Sequence, residues 1–559
     1  MRREVTQHTM AHSNRDSYLP PGENDRLGLL MYGLAVGFAL LPALVRIMVF
    51  PDYPGTDDAF IHLAVIKNIG DGQGWGINPG IPVNLSTSPL FTMAFGLLSR
   101  CTDHLLLWCQ YLSILWVVLS TLVVFLITRR FTHDTGSALL AAILAAGNIH
   151  LWRWTGSFME TTFAYGYVLA IVWVILKNQH HPSQSTRLVD SGAVLIGAMI
   201  GLGVLIRPET GLVGVAWALH EVANRQEHLF RRFAFSIIGL CGVLIPYSLW
   251  AYSTFGSVLP TTYTAKVNEG LSLFGGKTPS QIVSVLISGW LGSVVILPVW
   301  LFWAWHHRKE TPHEGSLDLL RRLTILWAIP CLVTVFYLVK TQSLQSAGRY
   351  LLPYFSVLSV IAGVLWYHAR SATDRRSILT SMIAIGAVAL QFAASIVLLN
   401  SRVAPVLQRM NTEYVSTMSE AALQLNDRCR PGDTVLVWMD IGVVSLEHDH
   451  SCVIADGGAL ASPELAGLSL PMMIDRIRPR FVLESQGESS SHTAIPGPGS
   501  SIVWSRKYLS HSIARPQDVF VARLYELPRR VGSARAGSNA QHGHSNEVPG
   551  LQDSVIPQN

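Results

Sequence analysis

GLLMYGLAVGFALLPALVRIMVF (residues 28–50) runs directly into PDYPGTDDAFIHLAVIKNIGDGQG (51–74), and this pair of stretches decides the fold. The first carries a single charge, Arg46. It is long enough to cross a bilayer core, which takes about 20 predominantly apolar residues as a helix. No small-residue cleavage pattern follows it, so it reads as an uncleaved signal anchor. The second stretch sets Thr56 ahead of two adjacent acids, the pattern of a capped helix that begins at Asp57 and runs toward Asn68 just beyond the span.

The rest of the chain repeats the first theme. Further apolar runs lie near 106–128, 135–151, 160–176, 188–206, 209–222, 233–253, 283–305, 323–339, 350–368 and 377–399, which with the first make about eleven spans. Of the 559 residues 50% are apolar and only 14% charged, which excludes an ordinary soluble enzyme. The chain reads as a polytopic α-helical membrane protein embedded in a lipid bilayer. Its formal net charge of +5 is a mild excess that membrane topology explains, so no nucleic acid partner is indicated.

Charge placement orients the spans. The stretch STSPLFTMAFGLLSR (86–100) is apolar but short, and is expected to lie along the membrane surface. With that stretch not crossing and residues 1–27 in the cytoplasm, eighteen Lys and Arg fall inside, among them Arg129, Arg130, Arg231, Arg232, Arg321 and Arg322. Letting 86–100 cross reverses the bias, against the positive-inside rule. The expected location is the inner (plasma) membrane, multi-pass, with a cytoplasmic N-terminus. Residues 28–399 form the transmembrane domain, with an outer loop at 51–105.

Residues 400–529 then fall outside, and there the composition changes. VLVWMD (435–440), CVIAD (452–456), RFVLES (480–485) and VFVARLYEL (519–527) read as strands, with a helix near 470–478, giving a C-terminal extracytoplasmic α/β domain. From 530 to 559 the chain is Gly, Ser, Asn, Gln and His with scattered Pro, a disordered tail by composition. Six cysteines follow no metal spacing; of them, Cys429 and Cys452 are the candidates for a disulfide.

Chemistry is sought among charges at the outer span ends, since each is costly near hydrocarbon. Asp57 and Asp58 fall in the first turn of their helix, where acids also favour a helix N-terminus without doing chemistry. His62 follows Asp58 by four residues and shares its helix face, as a partner or simply as a packed side chain. Glu160 sits in LWRWTGSFMETTFAYGY, seven residues after Arg153, and Arg207 and Glu209 sit in LIRPETG, where they can pair with each other. Arg153, Arg207, Lys266 and Arg349 together suggest an anion site suited to a lipid phosphate. No P-loop, GxGxxG, HExxH or GxSxG pattern is present, so nucleotide-driven chemistry is unsupported and a donor already activated in the membrane is favoured.

Taken together, these blocks resemble the GT-C superfamily of polytopic glycosyltransferases, which use polyprenyl-phosphate sugars on the outer side of the membrane. Within it the sequence resembles bacterial arabinofuranosyltransferases that place terminal residues on cell-wall arabinan. The carrying residues are TDDAFIHLAVIKNIGDGQGWGINPG and NLSTSPLF within 56–91, TGSFMETTF (155–163), IRPETG (206–211), FGSVLPTTYTAK (255–266), GRYLLP (348–353) and DIGVVSLEHDHSCVIADGGALASPELA (440–466). The chain departs from the family pattern at His62, usually aromatic, and at Thr261, usually Asn.

The resemblance implies that one of Asp57 and Asp58 is the general base on the acceptor hydroxyl. Arg207, Lys266 and Arg349 are then the donor-phosphate ligands, and Asn68 and Glu160, with His62 and Arg153, are candidate sugar or acceptor contacts. A single displacement predicts inversion at the anomeric carbon. The acidic pair is also a candidate holder of a divalent cation, and no other cofactor is indicated. The acceptor class is a cell-envelope glycan, lipid or protein. A transporter or flippase of lipid-linked glycans is the competing reading, but it predicts charges deep in mid-span, whereas here they gather at span ends.

Overall fold

A computed structural model of the chain describes residues 21–49, 51, 55–178, 186–225, 228–262, 278–306, 319–340, 347–370, 374–438, 440–488, 500–509 and 517–528. Lys266, most of segment 1–27 and the tail from 530 lie outside the described residues.

Each of the eleven apolar runs meets a helix, or a helix pair joined at a bend, but length divides them. Among the described residues five helices are long and apolar enough to cross a membrane: Gly28–Val49, Leu105–Thr132, Leu229–Phe255, Pro279–Pro298 and Ile378–Arg428. Gly348–Phe355 and Val357–Arg370 make a sixth if counted together, although they are bent by 42°. Pro89–Ser99, Thr135–Ala146, Thr161–Lys177, Asp190–Ile206 and Thr324–Leu338 are apolar but shorter. By length and composition, five or six of the eleven expected spans are full-length helices among the described residues, and the others are shorter.

Local chemistry sets the helix limits. Asp134 accepts the Ser137 backbone N–H at 2.7 Å and Asn148 that of His150 at 2.8 Å, each capping the helix it precedes. Thr56 occupies the same position before Asp57–Gly70, but its hydroxyl makes no capping bond, so that part of the sequence reading is corrected.

Two features let backbone meet backbone inside the bundle. Thr186–Ile206 and Leu229–Phe255 pack through glycines: a Cβ on Gly197 would stand 1.8 Å from the Ser236 carbonyl oxygen, and one on Gly239 2.0 Å from that of Val194. At Trp290 the helix Thr278–His306 leaves helical geometry. Gln391 stands beside this break, donating to the Gly289 carbonyl at 2.9 Å and accepting the Gly292 N–H at 3.0 Å. Backbone groups freed in an apolar interior need such a partner.

The Ile378–Arg428 helix is 51 residues long. At about 1.5 Å per residue it far exceeds a bilayer core of about 30 Å. Its sequence changes accordingly, from SILTSMIAIGAVAL to STMSEAALQLNDR. Two π-helical turns, Leu399–Val403 and Met410–Val415, interrupt it before it leads into a five-stranded sheet.

The sheet order is β2-β1-β3-β5-β4, with β1 Thr434–Trp438, β2 Val453–Asp456, β3 Phe481–Gly487, β4 Ser501–Leu509 and β5 Val519–Glu526. β2, β1 and β3 run parallel, and β5 and β4 antiparallel. β4 was not expected from the sequence; the other four strands and the helix Leu470–Ile477 fall where their patterns placed them. Cys429 and Cys452 form a disulfide that ties the end of the long helix to the start of β2, with Cα atoms 5.6 Å apart.

The sheet is fastened to the helical part by the loop after Asp57–Gly70. Asn78 behaves like a one-residue strand: its amide donates to the Ile454 carbonyl at 2.8 Å and accepts the Ile454 N–H at 2.9 Å. The Thr261 N–H donates to the Asn84 carbonyl at 2.7 Å, and the Thr261 hydroxyl to that of Leu460.

Candidate active site

Three connections bring distant charges to the start of Asp57–Gly70. Glu160 ends the turn TGSFME ahead of helix Thr161–Lys177, Arg207 follows Ile206 in an extended conformation fixed by Pro208, and Arg349 lies in the first turns of Ala347–Phe355. Glu160 Oε1 receives Arg207 Nη2 at 3.3 Å and Arg349 Nη2 at 3.3 Å. Arg207 Nη1 also donates to the Arg349 carbonyl at 2.9 Å, and both guanidiniums lie over the Tyr350 ring. Arg349 Nη1 then reaches the Asp58 carboxylate.

Exposure separates the two ends of this chain of charges. The Glu160 side chain is 0% exposed and that of Asp58 48%. Burial alone would raise the Glu160 pKa, but Arg349 and Arg207 override it and hold the carboxyl at about 2. Glu160 is thus the anchor of two guanidiniums, a different place from the sugar contact the sequence suggested. Arg207 pairs more closely with Glu160 than with its sequence neighbour Glu209, which stands 3.9 Å from Arg207 Nε and accepts the Tyr337 hydroxyl at 2.7 Å.

Asp57 faces elsewhere. Its Oδ1 accepts the Tyr414 hydroxyl from the second π-helical turn, and the Gly442 N–H at 2.9 Å from the first turn of the helix Ile441–Glu447 that follows β1. Burial, and then the neighbouring Asp440 carboxylate, push Asp57 well above the usual carboxylate range, against the pull of Tyr414. Asp440, at φ 54°, accepts the Ser485 hydroxyl at 2.8 Å and the Tyr508 hydroxyl at 3.1 Å. Tyr414 and Gly442 were not foreseen as site residues; Tyr414 lies 357 positions from Asp57, and no local pattern announces that contact.

Asn68 is buried, and its amide donates to the Gly76 and Ile77 carbonyls at 2.8 and 3.2 Å, closing its own loop. His62 is buried edge-on to Phe91, with Nδ1 3.4 Å from the Thr92 hydroxyl, and burial pushes its pKa down. Arg153 lays its guanidinium over the Trp154 ring at 4.6 Å.

The fit to a divalent cation is poor. Asp58 is engaged by Arg349, Asp57 by Tyr414 and Gly442, and Glu160 by two guanidiniums, so the three carboxylates offer no common point. Among the described residues the cluster with metal-ligand spacing is Cys429, His448 and Cys452, whose sulfurs are joined as a disulfide.

Residues 89–252 match the family described as dolichyl-phosphate-mannose-protein mannosyltransferase. The chain is 23% identical over 337 residues to a terminal beta-(1->2)-arabinofuranosyltransferase of Corynebacterium glutamicum, covering 54% of this chain and 47% of that protein. It thus spans about half the length of that relative. The crystal structure of ArnT from Cupriavidus metallidurans bound to undecaprenyl phosphate superposes with a TM-score of 0.57 at 13% identity, covering 88% of this chain and 97% of that one. The Archaeoglobus fulgidus oligosaccharyltransferase in complex with Zn and sulfate gives 0.54 at 12% identity, covering 81% and 68%.

Proposed function

We propose that this chain, a multi-pass membrane protein with the fold of the GT-C superfamily of glycosyltransferases, transfers a sugar from a polyprenyl-phosphate donor to a cell-envelope glycan, lipid or protein. The reaction takes place on the outer face of the inner membrane, with the N-terminus cytoplasmic and the sheet outside. The observation that carries this reading is the half-exposed Asp58 at the rim of a buried group in which Arg207 and Arg349 share Glu160. The likeness to a structure holding undecaprenyl phosphate supports the donor class.

Asp58 is the better base of the two acids. It is accessible beside Arg349, whereas Asp57 is held by Tyr414 of the long helix and Gly442 of the helix after β1. Asp58 takes the proton of the acceptor hydroxyl, whose oxygen attacks the anomeric carbon as the bond to the phosphate oxygen breaks. The electron pair leaves with the polyprenyl phosphate, and a single displacement inverts the configuration. No general acid is required, because the phosphate is already a good leaving group. Arg349, with Nη1 on Asp58 and Nη2 on Glu160, is assigned with Arg207 and Lys266 to the charge developing on that phosphate.

The test is transfer by the full-length protein in nanodiscs from radiolabelled undecaprenyl-phosphate-linked pentoses and hexoses, arabinofuranose among them, to arabinan and glycolipid acceptors. Asp58→Asn is expected to lower kcat about 10²–10⁴-fold while folding and binding undecaprenyl phosphate normally. Wild type that binds the lipid but transfers no sugar refutes the transferase reading. Retained activity in Asp58→Asn refutes the assignment of the base.

A further inference from the structure

The acid next to the base is held by a different part of the molecule, and that contact carries a second role for the sheet. Asp57 Oδ1 takes one hydrogen bond from Tyr414 on the long helix and one from the Gly442 N–H. The helix that presents Gly442, Ile441–Glu447, is fixed at its start: its N-cap Asp440 accepts from Ser485 on β3 and Tyr508 on β4, and the Tyr414 and Tyr508 rings lie 5.9 Å apart. The approach is tight enough to exclude a side chain, since a Cβ on Gly442 would stand 2.3 Å from the Asp57 carbonyl oxygen and 2.6 Å from its Oδ1. Asp57 and Asp58 are consecutive in the first turn of one helix, so a shift of the Asp57 backbone carries Asp58 with it.

We propose that the C-terminal sheet is a working part of the transfer site: Tyr414, Gly442 and Asp440 are positioning residues that clamp Asp57 and thereby aim Asp58 at the acceptor. The inference rests on the base assigned above. It makes docking of the sheet a condition of turnover. A sheet displaced from Asp57 leaves the Arg207–Glu160–Arg349 group intact, because none of those three side chains bonds to sheet residues in the contacts described. Donor-phosphate binding and turnover therefore respond separately to damage at this contact.

The experiment compares Tyr414→Phe and Gly442→Ala with wild type, full length in nanodiscs, by two readouts. The first is transfer from whichever radiolabelled lipid-linked sugar the wild type uses. Gly442→Ala is expected to lower kcat about 100-fold, as a displacement near 1 Å does, and Tyr414→Phe about tenfold, with donor KM unchanged in both. The second is hydrogen exchange of the segment around residues 55–62, independent of any sugar, expected to quicken about fivefold in Tyr414→Phe through loss of one net hydrogen bond. Variants with wild-type kcat per folded enzyme overturn the inference and leave the transferase reading standing. If the wild type transfers nothing, that reading falls, and exchange alone decides whether the sheet orders the Asp57 turn; unchanged exchange in both variants overturns it. Parallel loss of donor binding and kcat also overturns it, since it indicates general unfolding.

Discussion

Replacing Glu160 by Gln keeps the shape of the side chain and removes the charge that two buried guanidiniums share. Its carboxyl titrates at about 2 in the folded protein against an ordinary 4.5. The folded-state pKa is the lower one, so the contribution is complete at pH values above about 4.5 and is lost as pH falls through about 2. At about 1.4 kcal/mol for each tenfold change in proton affinity, the neutral-pH contribution is about 3 kcal/mol. That agrees with the roughly 3–5 kcal/mol lost on breaking a buried ion pair from one side. With about 2.1 cal/mol/K of unfolding entropy per residue, a cooperative unit the size of the whole chain loses about 3 °C of Tm, and a smaller unit loses more. Thermal melting in detergent at pH 7 is the assay. Repeated at pH 3, closer to the folded-state value, the gap between variant and wild type should narrow. A Glu160→Gln protein that melts with the wild type at both pH values would refute the reasoning, because the two guanidiniums would then not depend on that carboxylate.

Two further outcomes follow from the packing. The disulfide closes a separation of 23 residues between Cys429 and Cys452. A loop of that length corresponds to about 3 kcal/mol of chain entropy, so Cys429→Ser/Cys452→Ser should lower the melting temperature of the sheet, measured by near-UV circular dichroism, and added dithiothreitol should reproduce the change in wild type. Gly239→Val forces the Leu229–Phe255 helix away from Thr186–Ile206; it should cut the monodisperse fraction in size-exclusion chromatography severely, whereas Gly242→Val, with nothing within 4 Å of its Cβ, should be tolerated.

The helices were legible because lipid-facing and core-facing helices alike must be apolar, and each run betrays itself by composition alone. Their number of crossings was not, since a run such as Thr135–Ala146 is apolar enough but only 12 residues long. Of the strands, the parallel ones were visible as β-branched runs. β4 was hidden because SIVWSRKYL, at the sheet's edge, falls into an apolar block and a polar block without the alternation that marks a half-buried strand, and keeps Arg506 and Lys507 exposed. At the site, residue types and their span-end positions pointed to Asp58, Arg207 and Arg349, and the structure brings these together with Glu160. The partners were not legible. Arg349 meets Asp58 across 291 positions and Tyr414 meets Asp57 across 357, and only the tertiary fold pairs residues at such separations. The same ignorance left the two acids indistinguishable in the sequence, since what separates them is which domain each one faces.

The one-residue strand formed by Asn78 has a consequence for solubility. β2 lies at one end of the sheet order, and at an end strand backbone donors and acceptors stand ready to recruit a foreign strand. Asn78 occupies the N–H and the carbonyl of Ile454, in the middle of that short strand, with a side chain that cannot propagate the ladder. The opposite end, β4, is guarded by charge instead, with Arg506 held by Glu420 and Lys507 by Glu488. A sheet that swings free of the helical part therefore loses more than its aim on Asp57. It uncovers a sticky margin, and a molecule that has stopped turning over becomes one that self-associates.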